Sequence, residues 1–240
     1  MRALLVWALL CGSAAVAAAQ APATLPALGL PLVEVPVPAG QRGDMLGVLL
    51  TSDGGWTPVN RVVSERLAQS GVPVVAWNSM HYYRTPRSPD EAARALARVI
   101  EHYSAAWGRG RVVLIGYSFG ADVMPFLVNR LPPADRARIA GMVLMGFDRD
   151  AVFEFHYTDW LGRSAGPAYA TLPEIRRLGA VPTLCLYGTD DAGTACTAHW
   201  GPAVTAVALH AGHRFGAVSE EAASLIVQDV RALAARPTGA

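Results

Sequence analysis

The stretch Val112–Asn129, reading VVLIGYSFGADVMPFLVN, constrains this chain more than any other. Val112, Val113, Leu114 and Ile115 form a short apolar run with β-branched residues, the pattern of a buried strand. Gly116-Tyr117-Ser118-Phe119-Gly120 then turns the chain, and the apolar run that follows reads as a helix. A turn this sharp strains the backbone of its apical serine, and side chains two residues to either side would collide, hence the glycines. The strain has a chemical use, because it presents the Ser118 hydroxyl at the carboxyl edge of a sheet. The bland alternative is an idle serine in a glycine-bounded turn.

The rest of the chain supplies the sheet. Val33–Val37 alternates as a first strand, and Met45–Thr51 is a continuous apolar run consistent with a buried one. Thr57 and Pro58 read as N-cap and first position of a helix closed by Gly71. Val72–Trp77 is the next strand, and His81–Arg87 a polar, aromatic loop. Ser88-Pro89-Asp90-Glu91 is a capping box before a helix with the buried stripe Ala92, Leu96, Val99 and Tyr103. Gly141–Phe147, Val181–Tyr187 and Val204–Leu209 are further strands, and Ser219 caps a last helix. Residues 148–178 interrupt the alternation with aromatic, mixed-charge sequence and weak periodicity, and are expected to be a cap insertion. Alternating strands and helices predict an α/β chain with a mostly parallel sheet covered on both faces. A G-x-S-x-G turn between strand and helix is the nucleophile elbow of the α/β-hydrolase fold.

The N-terminus, MRALLVWALLCGSAAVAAAQA, has one arginine, an apolar stretch and then small residues. This describes a secretory signal peptide over residues 1–21, cleaved after Ala19 or Ala21. Residues 22–240 then form a single domain. An uncleaved anchor is the alternative, and Leu10 is too large to make Cys11 a good lipoprotein site. The remaining cysteines, Cys185 and Cys196, suggest a disulfide in an exported protein. No Cys/His spacing suited to zinc occurs, so no metal is expected. A net charge of +1, with no Lys/Arg run, gives no argument for nucleic-acid binding.

A serine nucleophile needs a base, and the base a group to orient it; in this fold they follow in the order Ser, acid, His. After the strand that follows the cap comes Gly188-Thr189-Asp190-Asp191. Spacing from the glycine favours Asp191 as the acid, with Asp190 as the alternative. After the last strand comes His210-Ala211-Gly212-His213, and His213 is the better base. His102, His156 and His199 read as packing or solvent histidines, while His81, in a loop at the carboxyl edge, is a candidate for touching substrate. The oxyanion hole needs backbone N–H donors. One is expected from Phe119, the second from Gly55 or Trp56. No cofactor is expected.

The segments SDGGW, VPVVAWNSMHYYRTPRSPDE, GYSFGADVMPFLVNRLP and CLYGTDD with a following cysteine together resemble the VirJ/AcvB family of bacterial virulence proteins. The resemblance spans roughly residues 45–230. It implies a periplasmic α/β-hydrolase fold and hydrolysis of lysyl-phosphatidylglycerol, with some members tied to type IV secretion. It further implies Ser118 as nucleophile, His213 as base and a Cys185–Cys196 disulfide. For such a substrate, Asp122, Glu154 or Asp159 could receive the lysyl group, although Asp122 could equally be bonded to a neighbouring loop. Arg84 or Arg87 could meet a lipid phosphate. Phe153, Phe155, Tyr157, Trp160 and Leu161 could rest against lipid, in peripheral contact with the membrane, or form a small core of their own. The alternatives are a non-catalytic partner of secretion-system proteins and a generic carboxylesterase or thioesterase.

Overall fold

The structure, a computed structural model, describes residues 28–155, 167–198 and 200–237. The expected signal peptide and Cys11 lie outside the described residues, as do His156, Tyr157, Asp159, Trp160, Leu161 and His199.

Nine strands run in chain order among the described residues: β1 Leu32–Val35, β2 Met45–Leu50, β3 Val74–Trp77, β4 Arg111–Tyr117, β5 Ile139–Met145, β6 Asp150–Ala151, β7 Tyr169–Ala170, β8 Thr183–Gly188 and β9 Val204–Leu209. Seven form one sheet in the order β1-β3-β2-β4-β5-β8-β9. Only β1 runs antiparallel to its neighbour. The sequence therefore gives the right class, and the structure adds a reversed edge strand that Pro36 ends one residue beyond Val35.

The central strands are buried on both faces, so alternate residues serve two cores. On one face, Leu46, Val48, Leu50 and Leu114 pack with Leu96, Val99 and Tyr103 of α3 (Pro89–Trp107) and Met124 and Leu127 of α4 (Phe119–Val128). On the other, Leu49, Val113 and Ile115 pack with Val63 and Leu67 of α1 (Pro58–Gln69) and Ile226 and Val230 of α7 (Ser219–Ala234). Each fully buried aliphatic side chain of this kind contributes about 1.5–3 kcal/mol. Ser88 starts α3 as expected, with its hydroxyl accepting from the Glu91 N–H and Glu91 reaching back to the Ser88 N–H. Gly108, in the left-handed conformation, ends it. Two short helices join these elements: α2 (Ser79–Tyr82), which runs into the expected His81–Arg87 loop, and α5 (Pro133–Arg136).

Of the expected cap over 148–178, residues 148–155 and 167–178 are described. β6 and β7 pair as a two-stranded ribbon, and α6 (Thr171–Arg177) then packs against α4 as the crossover helix between β5 and β8. Its periodicity is weak because Ile175 is its one buried apolar residue, with Leu178 buried just past its end. A buried Glu174 does the rest of the docking, accepting from Asn129 Nδ2 at 2.7 Å and facing Arg130 and Arg177.

Candidate active site

Ser118 is the one non-glycine residue with positive φ among the described residues, at φ 51° and ψ −121°. It joins β4 to α4. A Cβ on Gly120 would run into the Leu50 carbonyl of β2, and one on Gly116 would lie 2.5 Å from Ala121 Cα. The Ser118 N–H donates to the Met145 carbonyl at 2.8 Å, which ties the elbow to the end of β5.

Two loops meet the serine. The Ser118 hydroxyl lies 2.7 Å from His213 Nε2, and His213 Nδ1 lies 2.9 Å from Asp191 Oδ2. Asp191 is enclosed at 10 % side-chain exposure while His213 keeps 41 %, so the relay is buried at its acid end and open at the serine. Asp190, one residue earlier, points away. It is exposed, and its N–H donates to the Ala211 carbonyl at 3.0 Å. His210 is exposed just past β9.

The acid and histidine loops are fastened to one another by main chain. Thr189 N–H donates to Leu209 O at 2.8 Å, and a Cβ on Gly188 would collide with the backbone of Ala211 and Gly212. Phe215, fully buried, anchors the histidine loop and meets the Tyr117 ring edge-on. The acid loop is held on its far side by the Cys185–Cys196 disulfide, with Cα atoms 5.6 Å apart. Ala195 N–H also donates to Phe147 O at 2.7 Å.

Two cavities open beside Ser118. One, of about 440 Å³, is lined by Asp53, Thr57, Tyr117, His213 and Arg214. The other, of about 180 Å³, is lined by Asp53, Phe119, Asp122, Asp150, Val152 and Phe155, and is acidic. Asp122 lies between the acidic cavity and a neighbouring loop. It lines this cavity, and its Oδ1 accepts the Asp148 N–H at 2.8 Å. Burial pushes its pKa well above the ordinary 3.8, and the carboxylates of Asp148, Asp53 and Asp191 push the same way, against the Asp148 hydrogen bond.

Of the two residues expected to supply the second oxyanion donor, Gly55 has its N–H engaged within its own loop. The Gly55 N–H donates to Ser52 O at 3.0 Å, closing a tight turn, and Gly55 faces Asn78 and Met80. Trp56 packs against the core shared by α1 and α7. The residue that this loop brings beside Ser118 is Asp53, which lines both cavities. Its signal in the sequence is position, three residues past the end of β2, rather than glycine content. Phe119, by contrast, is the first residue of α4 and lines the acidic cavity. Its N–H belongs to the helix terminus, where backbone donors have no intrahelical partner. His81, Arg84 and Glu154 line neither cavity, and His81 opens into a separate one described below.

A serine, an imidazole and a carboxylate linked in this order can transfer a proton from the hydroxyl to the imidazole as the serine oxygen attacks a carbonyl.

A sequence model of the family described as bacterial virulence protein (VirJ) matches residues 44–234. No match was found among curated proteins. Among solved structures, the chain is similar to Est1E from Butyrivibrio proteoclasticus with ferulic acid bound, with a TM-score of 0.64 at 10 % identity over 87 % of this chain and 97 % of that one. TT1662 from Thermus thermophilus matches with a TM-score of 0.60 at 17 % identity, over 90 % and 98 %. A monoacylglycerol lipase from Paleococcus ferrophilus matches with a TM-score of 0.59 at 17 % identity, over 85 % and 99 %. At these identities the likeness is one of fold, and the fold is that of α/β-hydrolases.

Proposed function

The chain belongs to the VirJ family of bacterial virulence proteins, and from that premise we propose that it is a serine ester hydrolase whose substrate is the aminoacyl ester of a phospholipid, lysyl-phosphatidylglycerol. The observation that carries the reading is the relay from Ser118 Oγ through His213 to Asp191, at 2.7 and 2.9 Å. Ser118 Oγ attacks the ester carbonyl while its proton passes to His213 Nε2, and Asp191 steadies the resulting imidazolium. The N–H groups of Phe119 and Asp53 receive the developing oxyanion. Collapse of the tetrahedral intermediate breaks the ester bond. The His213 proton goes to the departing glycerol oxygen, phosphatidylglycerol leaves, and the lysyl group stays on Ser118. Water, deprotonated by His213, then releases lysine and restores the hydroxyl.

The acidic cavity favours an aminoacyl group over a plain fatty acyl chain. Asp53, Asp122 and Asp150 line it, while Arg214 stands in the other cavity. Ammonium groups on the acyl side are matched by carboxylates there. The disulfide fits an oxidising compartment, which supports export to the periplasm. A non-catalytic scaffold has no need of an assembled serine relay.

The test is labelling with a fluorophosphonate probe, followed by assay of lysyl-phosphatidylglycerol beside short acyl esters. Labelling is expected for the wild type and not for Ser118→Ala. Absence of labelling in the folded wild type would overturn the hydrolase reading, and preference for short acyl esters would overturn the substrate.

A further inference from the structure

The loop between β3 and α3 carries cationic chemistry that the Ser118 site does not use. His81, Thr85, Arg87 and Arg98, with Tyr82 and Leu28, line a cavity of about 320 Å³. It lies where β3 ends and antiparallel β1 begins, at the edge of the sheet that also carries Ser118. Arg98, on the exposed side of α3, donates from an Nη to the Leu28 carbonyl at 2.8 Å, which turns its guanidinium towards the cavity rim. Arg87 lies over the Tyr82 ring, 4.9 Å from its centroid. Its Nε is buried and has no hydrogen-bond partner among the described residues. No carboxylate among the described residues lines the cavity. The acidic residues at the start of α3 have partners of their own: Glu91, whose charge also faces Arg87, accepts from the N–H and hydroxyl of Ser88, and Asp90 faces Arg130 at 3.5 Å.

A guanidinium has five donors, and holding one on an aromatic face with its Nε unspent costs free energy unless an acceptor arrives. Two guanidiniums, an imidazole and a hydroxyl around one small cavity match a tetrahedral anion, which offers acceptors in several directions, better than a planar carboxylate. We propose that this cavity is a binding site for a phosphate group, held between Arg87 and Arg98 with Thr85 and His81 completing the shell.

The site is linked to the acidic cavity beside Ser118 through packed rings and backbone bonds. Tyr82 packs edge-on against Tyr83, and Tyr83 against Phe119. Arg87 N–H donates to Phe153 O at 2.9 Å, and Phe155 N–H to Tyr83 O at 2.7 Å. Phe155 lines the acidic cavity, so an anion ordering Arg87 steadies the segment that bounds the place of reaction.

The proposal goes beyond the hydrolase reading and does not rest on it, because binding can be measured equally on Ser118→Ala protein. Calorimetric titration with inorganic phosphate and with glycerol 3-phosphate is compared across wild type, Arg98→Gln and Arg87→Gln/Arg98→Gln. Co-sedimentation with phosphatidylglycerol vesicles, against phosphatidylcholine vesicles, runs in parallel. Saturable phosphate binding is expected in the wild type, weakened about tenfold by Arg98→Gln and further in the double variant. If phosphatidylglycerol vesicles are also retained by the wild type and lost by the variants, the ligand is a lipid headgroup. If only the soluble phosphates bind, it is a free phosphate or phosphate ester. Arg98→Gln alters an exposed helix position, so it reports on the site even if the Arg87 change unfolds the loop. No saturable phosphate binding by folded wild type, or equal binding by wild type and Arg98→Gln, overturns the proposal.

Discussion

Replacing Cys185 and Cys196 together with alanine separates two effects of the cross-link, one on stability and one on the position of Asp191. The two residues are 11 positions apart. Closing a loop of that length removes about 9 cal/mol/K from the unfolded ensemble, or about 2.8 kcal/mol at 25 °C. For a domain of this size the melting temperature should fall by about 6–11 °C. The loss of position is smaller than the loss of the acid itself, because two backbone bonds remain. Thr194 N–H still donates to Asp191 O at 3.3 Å, and Ala195 N–H to Phe147 O at 2.7 Å. We expect kcat on an ester substrate at 25 °C to fall on the order of tenfold, short of the roughly hundredfold that an ångström of misplacement costs. The assays are a thermal melt and steady-state kinetics well below the lowered melting temperature. A double variant that melts with the wild type refutes the entropic reasoning. One that loses stability while keeping kcat refutes the positioning role.

Asp191→Asn should lower kcat on the order of 10³–10⁴-fold, because an asparagine amide favours the wrong imidazole tautomer, whereas Asp190→Asn should change it less than about twofold; steady-state kinetics on the two variants side by side decide the acid. Asp122 holds its proton to higher pH folded than unfolded, so its stabilising contribution is complete below the ordinary value of 3.8 and is lost as pH rises through the raised folded value. Asp122→Asn keeps an acceptor for the Asp148 N–H and should melt above wild type at neutral pH, the gap closing as pH falls towards 4 in a pH series of melts. The same variant should raise KM for a cationic ester more than for a neutral one. Gly188→Ala should destabilise by about 1–3 kcal/mol by denaturant titration and lower kcat, since its methyl group meets backbone rather than a side chain that can turn aside.

What the sequence revealed depends on how local each signal is. The elbow is legible because strand, glycine-bounded turn and helix are contiguous, and its strain needs no distant partner. The order of Ser118, the acid loop and His213 is legible because each follows a recognisable strand of a parallel sheet. Which aspartate reaches His213 depends on the turn after Gly188, where one residue swings a side chain from solvent to imidazole. Gly55 drew attention by composition, yet its N–H is spent inside its own turn and Asp53 faces the serine. Helix α6 was hidden because its docking relies on the polar Glu174, which a hydrophobic stripe does not register. The Arg87–Arg98 cavity was hidden for another reason: Leu28 and Arg98 are 70 positions apart, and only the antiparallel β1 brings them together.

At Gly188 the acid and histidine loops touch main chain to main chain, through atoms that every amino acid shares. The span from Asp191 to His213 is thus indifferent to most exchanges along either loop. A lineage can recolour the pocket, exchanging Arg214 or Asp150 to suit a new ester, without retuning the proton path at each step. The freedom is conditional on a single absent methyl group, so position 188 should stay fixed while its neighbours drift.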